Sequence, residues 1–97
     1  MSHTIVLRPR VEKAIDRAAG WYEARNPRAS RAFLNAIDAA LEKVAENPHQ
    51  FPLIKRKLHR AIVAGFPYSL LFRLAETEAV VTTCVHFRRH PRHWRTD

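Results

Sequence analysis

Residues 58–87, LHRAIVAGFPYSLLFRLAETEAVVTTCVHF, decide the fold of this chain. Apolar side chains alternate with others along residues 58–64, 67–75 and 78–87, and a period of two residues is typical of β-strands. Short turns at Gly65-Phe66 and Glu76-Thr77 separate the three runs. Strands joined by such short turns pair in an antiparallel sheet.

The two turns also predict which residues lie opposite each other. The turn at 76–77 gives an uninterrupted register, in which Cys84 and His86 share a sheet face with Arg73. The turn at 65–66 places Arg60 opposite Leu71, so Arg60 and Arg73 are diagonal neighbours about 7–8 Å apart. The other, more apolar face should lie under the helices. We expect the face that carries Arg73 to stay open; its residues are Arg60, Arg73, Thr82, His86 and Arg88.

Two amphipathic helices precede the sheet. Pro9 suits the first position of one helix, and Asn26-Pro27 ends that helix and begins the next, with Asn as the N-cap. The second helix should end at Asn47-Pro48, because the residue before a proline disfavours the α conformation. Residues 3–7 are predicted to be a strand and residues 49–57 a loop. The expected fold is α+β, in the order β-α-α-β-β-β, with a helical hairpin packed on an antiparallel sheet and residues 1–97 forming one domain.

The charge of the chain is strongly positive and unevenly distributed. Lys and Arg number 17 against 9 Asp and Glu, which gives a net charge of +8. Residues 1–54 carry 8 basic and 6 acidic residues, whereas residues 55–97 carry 9 and 3, so the net charges are +2 and +6. A basic surplus in the C-terminal half favours nucleic acid or an acidic protein segment as a partner.

The sequence contains no recognisable targeting or cofactor signal. A membrane span would need a run of about 18 apolar residues, and the start of the chain lacks the apolar stretch of a signal peptide. The lone Cys84 has no partner for an internal disulfide, which is typical of a cytoplasmic protein. His90 and His93 are three residues apart but have no further ligand nearby, so we expect neither a metal nor another cofactor.

Several stretches together resemble the RelE/ParE superfamily of bacterial toxins from type II toxin–antitoxin systems. They are IVLRPR at 5–10, AIDRAAGWY at 14–22, NPHQFP at 47–52, FPYSLLFR at 66–73 and VHFRRHPRHW at 85–94. The resemblance implies a helical hairpin on an antiparallel sheet and a cognate antitoxin whose acidic and apolar tail wraps the toxin. We expect that antitoxin to contact Trp21, Tyr22, Arg60 and Arg73.

The superfamily contains two kinds of toxin. RelE-like members cleave mRNA on the ribosome, whereas ParE-like members poison DNA gyrase and have no hydrolytic site. The ending Arg-Arg-x-Pro-x-x-Trp resembles the ParE-like branch, although His90 stands where an Asp is common. This resemblance implies inhibition of gyrase without intrinsic catalysis. The proposed target-binding residues are Arg88, Arg89, Arg92, Trp94 and Arg95.

Two alternatives remain open from the sequence. An mRNA endoribonuclease would need a base and cations over the phosphate, for which the candidates are His86, Arg60, Arg73, Lys55 and Arg88. His86 lies six residues along the sheet from Arg73, roughly 20 Å at the rise of a strand, which argues against one compact site. The other alternative is a non-enzymatic nucleic-acid-binding module, although no helix-turn-helix pattern is visible. Arg60 and Arg73 are equally consistent with solvated charge on a sheet surface.

Overall fold

The computed structural model describes residues 2–87 and confirms the predicted order of helices and main strands. The elements are β1 (Thr4–Leu7), α1 (Pro9–Arg25), α2 (Pro27–Glu46), a short 3-10 helix (Pro48–Gln50), β2 (Leu53–Lys55), β3 (Leu58–Ile62), β4 (Tyr68–Leu74) and β5 (Glu78–His86). Neither α1 nor α2 is long and apolar enough to cross a membrane, and this holds for every helix within residues 2–87.

The helical hairpin begins and ends where the prolines predict. Pro9 is the first residue of α1 and Pro27 the first of α2. Asn26 lies between the helices, where its N–H donates to the Tyr22 carbonyl at 2.7 Å and its Oδ1 accepts from the Arg28 N–H at 3.0 Å. One residue therefore satisfies backbone groups at the end of α1 and at the start of α2, which explains the short connection.

The sheet has the order β1-β5-β4-β3-β2 and is mixed. The last three strands are antiparallel, as expected, whereas β1 lies at one edge and pairs in parallel with β5. The region predicted as a loop at 49–57 contains the 3-10 helix and β2, so that part of the prediction was wrong. β2 and β3 form a tight hairpin in which Arg56 takes a positive φ of 45°.

The core lies between the helical hairpin and one face of the sheet. Phe33 at its centre is fully buried. The ring centroids of Tyr22, Phe66 and Tyr68 each lie 5.3 Å from that of Phe33. Because these rings come from α1, from the turn before β4 and from β4 itself, the cluster ties the hairpin to the sheet. The predicted apolar faces supply the rest of the buried core: Val11, Ile15, Ala18, Ile37, Ala40, Val44, Ala61, Val63, Leu70, Phe72, Ala79 and Val81.

A β-bulge at Thr82 changes the predicted register of β5. The register of β3 against β4 is as predicted, and β4 against β5 follows the prediction as far as Phe72 opposite Val81. Beyond the bulge the pairing shifts by one residue, so that Cys84 lies opposite Leu70. An extra residue in one strand reverses the face of every later side chain in it. The uninterrupted register was therefore wrong for the second half of β5.

The face of the sheet that points away from the helices is only partly open. Arg73 is exposed, but Ser69 and Leu71 are each 1% exposed and Val85 is 4% exposed. The expectation of a fully open face was therefore wrong along the middle of β4.

Candidate functional site

Arg60 and Arg73 lie together on the sheet face away from the helices. Arg60 pairs with Leu71, and Arg73 stands two residues further along β4, opposite Val80. Residues two apart on a strand share a face, so the two arginines are diagonal neighbours, as predicted. Arg73 is exposed and Arg60 is half-buried. Two positive charges on one surface suit an acidic peptide or a phosphate group.

His86 lies on the opposite face from this arginine pair. It pairs with Tyr68, and the two ring centroids are 5.0 Å apart with the planes at 78°. Tyr68 in turn contacts Phe33 of α2, which identifies this face as the one under the helices. The prediction that His86 shares a face with Arg73 is wrong because the bulge reverses the side chains that follow it. The candidate base and the candidate cations are thus on different sides of the sheet.

Lys55 lies on β2 at the far edge of the sheet. It pairs with Leu58, two residues before Arg60 on β3. Cross-strand partners share a face, so Lys55 lies on the same face as Arg60 and Arg73. Of the four described members of the candidate ribonuclease set, only His86 lies on the other face. A base and phosphate-stabilising cations must act on the same group, and the described residues do not bring those roles together.

Arg10 holds the bulge in place and was missed by the sequence analysis. Its Nε donates to the Thr82 carbonyl at 2.8 Å, and its Nη2 donates to Thr83 Oγ1 at 3.4 Å. The parallel pairing of β1 with β5 brings the first turn of α1 beside the bulge, since Arg8 N–H donates to the Val81 carbonyl. No local sequence pattern gives that parallel pairing, so nothing in the sequence marked Arg10 as a contact of β5.

The single described cysteine is an unreactive core neighbour. Cys84 faces the helices and packs against the buried core. Burial raises the pKa of its thiol to about 11 from an ordinary value of 9.0, because desolvation disfavours the thiolate. Since the thiolate is the reactive form, Cys84 is a poor nucleophile near neutral pH. An uninterrupted register predicts Cys84 on the other face, and the bulge corrects that prediction.

Trp21 and Tyr22 are adjacent on α1 but have different environments. Trp21 is 42% exposed, and the Arg25 guanidinium lies 3.8 Å above its ring centroid. Tyr22 is half-buried and contacts both Phe33 and Phe66. Trp21 therefore presents an accessible aromatic surface beside a positive charge, whereas Tyr22 chiefly packs in the core.

A groove that the sequence analysis did not predict runs between α2 and β3. We call it the α2–β3 groove; its volume is about 270 Å³. The lining residues that matter for its chemistry are Ala36, Ala39, Ala40, Lys43, Arg60 and Ile62. Small side chains of α2 give it an apolar floor, and Lys43 adds one positive charge. Arg60 and Ile62 border the groove at the edge of β3, but their side chains lie on the sheet face away from α2. The alanine spacing of α2 is the sequence feature that could have indicated this groove, although the same spacing also fits ordinary helix packing.

The proposed target-binding residues Arg88, Arg89, Arg92, Trp94 and Arg95 lie outside the described residues. Among residues 2–87, no group of three or more His, Cys, Asp or Glu side chains is arranged to hold a metal ion.

Comparisons with known proteins agree with this architecture. The sequence matches a family model described as ParE toxin of type II toxin-antitoxin system, parDE, over residues 5–94. No curated protein is similar enough to count as a relative. Among solved structures, the chain is similar to one titled "Chromosomal ParDE TA system from P. aeruginosa", with a TM-score of 0.76 and 12% identity. That match covers 88% of this chain and 96% of the other, and at such low identity it concerns the fold alone.

Proposed function

The chain belongs to the ParE toxin family of type II toxin–antitoxin systems, and from this premise we propose that it inhibits DNA gyrase and is neutralised by a cognate antitoxin. In this proposal the chain acts in the cytoplasm by binding, without hydrolysing a substrate. Gyrase is the target that the resemblance of residues 85–94 to ParE-like endings implies.

The separation of His86 from the arginine pair is the observation that favours gyrase over mRNA as the target. His86 packs on Tyr68 under the helices, while Arg60 and Arg73 lie on the other face. An endoribonuclease needs its base within hydrogen-bond reach of the reacting hydroxyl and its cations on the same phosphate. This separation argues against a ribonuclease built from the described residues and supports an inhibitor that works by contact.

The proposed contact surface with gyrase is the basic, aromatic run Arg88, Arg89, Arg92, Trp94 and Arg95. Four arginines and a tryptophan within residues 88–95 combine charge steering with an aromatic anchor, and such residues dominate many protein interfaces. The test is supercoiling by purified gyrase in the presence of this chain. We expect inhibition by the wild type and a loss of about tenfold or more in potency for Trp94→Ala.

Matched substitutions separate this surface from general effects of charge. Arg92→Ala should weaken inhibition, whereas Arg17→Ala, at an exposed position of α1, removes the same charge and should not. A chain truncated after Phe87 that folds and still inhibits gyrase fully would show that this surface is wrong.

The proposed antitoxin contacts on the described residues are Trp21, Tyr22, Arg60 and Arg73. The exposure of Trp21 and Arg73 supports contact at these two positions, and the net charge of +8 favours an acidic partner. Co-expression with the protein encoded beside this gene should yield a stable complex and relieve toxicity. A chain that is stable, harmless and alone in the cell would contradict the proposal.

A further inference from the structure

The second half of β5 has a register that burial alone does not determine. β1 pairs with β5 only as far as Val81, so β4 alone among the described strands holds the rest of β5. In the observed register Cys84 and His86 face the helices. In an uninterrupted register Thr83 and Val85 would do so instead. Each register turns one polar and one largely apolar side chain towards the helices, so another contact must decide between them.

The Arg10 side chain contacts a backbone group that only the bulge makes available. Successive carbonyls of a regular strand point to opposite edges. The Val81 carbonyl points towards β1, where it accepts the Arg8 N–H at 3.2 Å, so a regular β5 would turn the Thr82 carbonyl towards β4. In the bulge, the Thr82 carbonyl instead accepts from Arg10 Nε at 2.8 Å. The contact with Arg10 therefore stabilises the bulged register and is lost in the uninterrupted one.

The register of β5 determines how the chain continues beyond the sheet. A change of one residue moves the end of the strand by about 3.3 Å and turns its side chains to the opposite face. The last described contact of the strand is the Phe87 N–H, which donates to the Pro67 carbonyl at 3.1 Å. Residues 88–95, the proposed contact surface with gyrase, follow directly in the sequence. A bulge at such a place commonly re-aims the side chains that come after it.

We propose that Arg10 is a positioning residue for the gyrase-binding run: by holding the bulge at Thr82, it fixes the direction in which residues 88–95 leave the sheet. Arg10 contacts the bulge and not the target. A hydrogen bond from a charged donor shifts such an equilibrium by about tenfold or more, and the exposure of Arg10 favours the lower end. The inference rests on the proposed function, because it concerns the surface that is proposed to bind gyrase.

The first part of the test compares Arg10→Ala with Arg17→Ala, which removes the same charge from an exposed position of the same helix. In the gyrase supercoiling assay, Arg10→Ala should lose potency by about threefold or more, because only the fraction of molecules in the bulged register is competent. Arg17→Ala should leave the potency unchanged. Circular dichroism and urea unfolding check that both variants are folded.

Cross-strand contacts measured by NMR report the register directly and do not depend on gyrase. In the wild type, the backbone of Cys84 should lie opposite Leu70. Arg10→Ala should show a second set of contacts, in which Cys84 lies opposite Ser69 as in the uninterrupted register. Arg17→Ala should show the wild-type contacts alone.

Deletion of Thr82 separates positioning from a merely structural role of Arg10. The deletion removes the extra residue while Thr83 stays opposite Leu71, so the end of β5 keeps its native placement without a bulge. In this background Arg10→Ala should no longer change the potency. Arg10→Lys is a further check that leaves β5 intact. A lysine retains one donor for the Thr82 carbonyl, so it should keep both the pairing and the potency closer to the wild type than Arg10→Ala does.

The other outcomes overturn the inference in different ways. If Arg10→Ala keeps the wild-type pairing and potency, Arg10 does not position the run, while the proposed function stands. A loss of potency with the pairing of Cys84 and Leu70 unchanged would mean that Arg10 acts other than through the bulge. An equal loss of potency after deletion of Thr82 would mean the same. If the wild type does not inhibit gyrase, the proposed function fails and the positioning role fails with it, whatever the register.

Discussion

Reactivity of Cys84 tests whether its thiol is buried in the folded chain. Cys84 is the only cysteine of the chain, so a thiol reagent reports on one site. Burial raises its pKa from 9.0 to about 11. At about pH 8 this lowers the thiolate fraction from roughly one in ten to roughly one in a thousand, a factor of about a hundred. We therefore expect labelling in the folded chain to be at least about a hundred times slower than in the chain unfolded in guanidinium.

The measurement is the rate of labelling with a chromogenic disulfide between pH 7 and 10. The folded wild type should react faster with every step in pH and show no plateau near 9. A Cys84→Ser chain that carries Ala32→Cys, at an exposed position of α2, gives the reference for an accessible thiol. A Cys84 rate within a few-fold of that reference would contradict the burial of Cys84.

Three further predictions concern stability, measured by urea unfolding followed by circular dichroism. Phe33→Ala should lower the free energy of unfolding by about 3–5 kcal/mol because it empties the centre of the aromatic cluster. The Leu34 side chain is 39% exposed, so Leu34→Ala should lower it by less than about 1 kcal/mol. Equal losses of stability would contradict the assigned core. Asn26→Ala should lower the free energy of unfolding by about 1 kcal/mol, because the cap that Asn26 provides to the Arg28 N–H is lost. An unchanged urea midpoint would show that Asn26 does not stabilise the fold as a cap. Gly65→Ala should cost about 1–2 kcal/mol, since φ is 85° there, and a more stable variant would refute the turn geometry.

The helical hairpin could be predicted from the sequence because its limits are local. Pro9, Pro27 and Pro48 each lack a backbone N–H, and Asn26 caps from its own side chain. Such constraints act within a few residues, so they can be read directly from the chain. The register of β3 against β4 followed for the same reason, since the turn at Gly65 fixes it.

The features that the sequence did not reveal depend on distant contacts. The parallel pairing of β1 with β5 joins residues more than seventy positions apart, as do the hydrogen bonds from Arg10 to Thr82 and Thr83. The bulge at Thr82 has no glycine to mark it, and one extra residue was enough to move Cys84 and His86 to the other face. The predicted placement of Arg60 and Arg73 as neighbours on one face was therefore correct, whereas the predicted face of His86 was wrong.

The most direct test of the central claim is a pair of assays on one preparation of the chain: supercoiling by DNA gyrase, and ribosome-dependent cleavage of mRNA. We expect supercoiling to be inhibited while the mRNA stays intact, and we expect Arg73→Ala and His86→Ala to leave the mRNA result unchanged. Cleaved mRNA with unaffected gyrase would contradict the proposed function and make the chain a ribonuclease, with Arg60, Arg73 and His86 as the first residues to substitute.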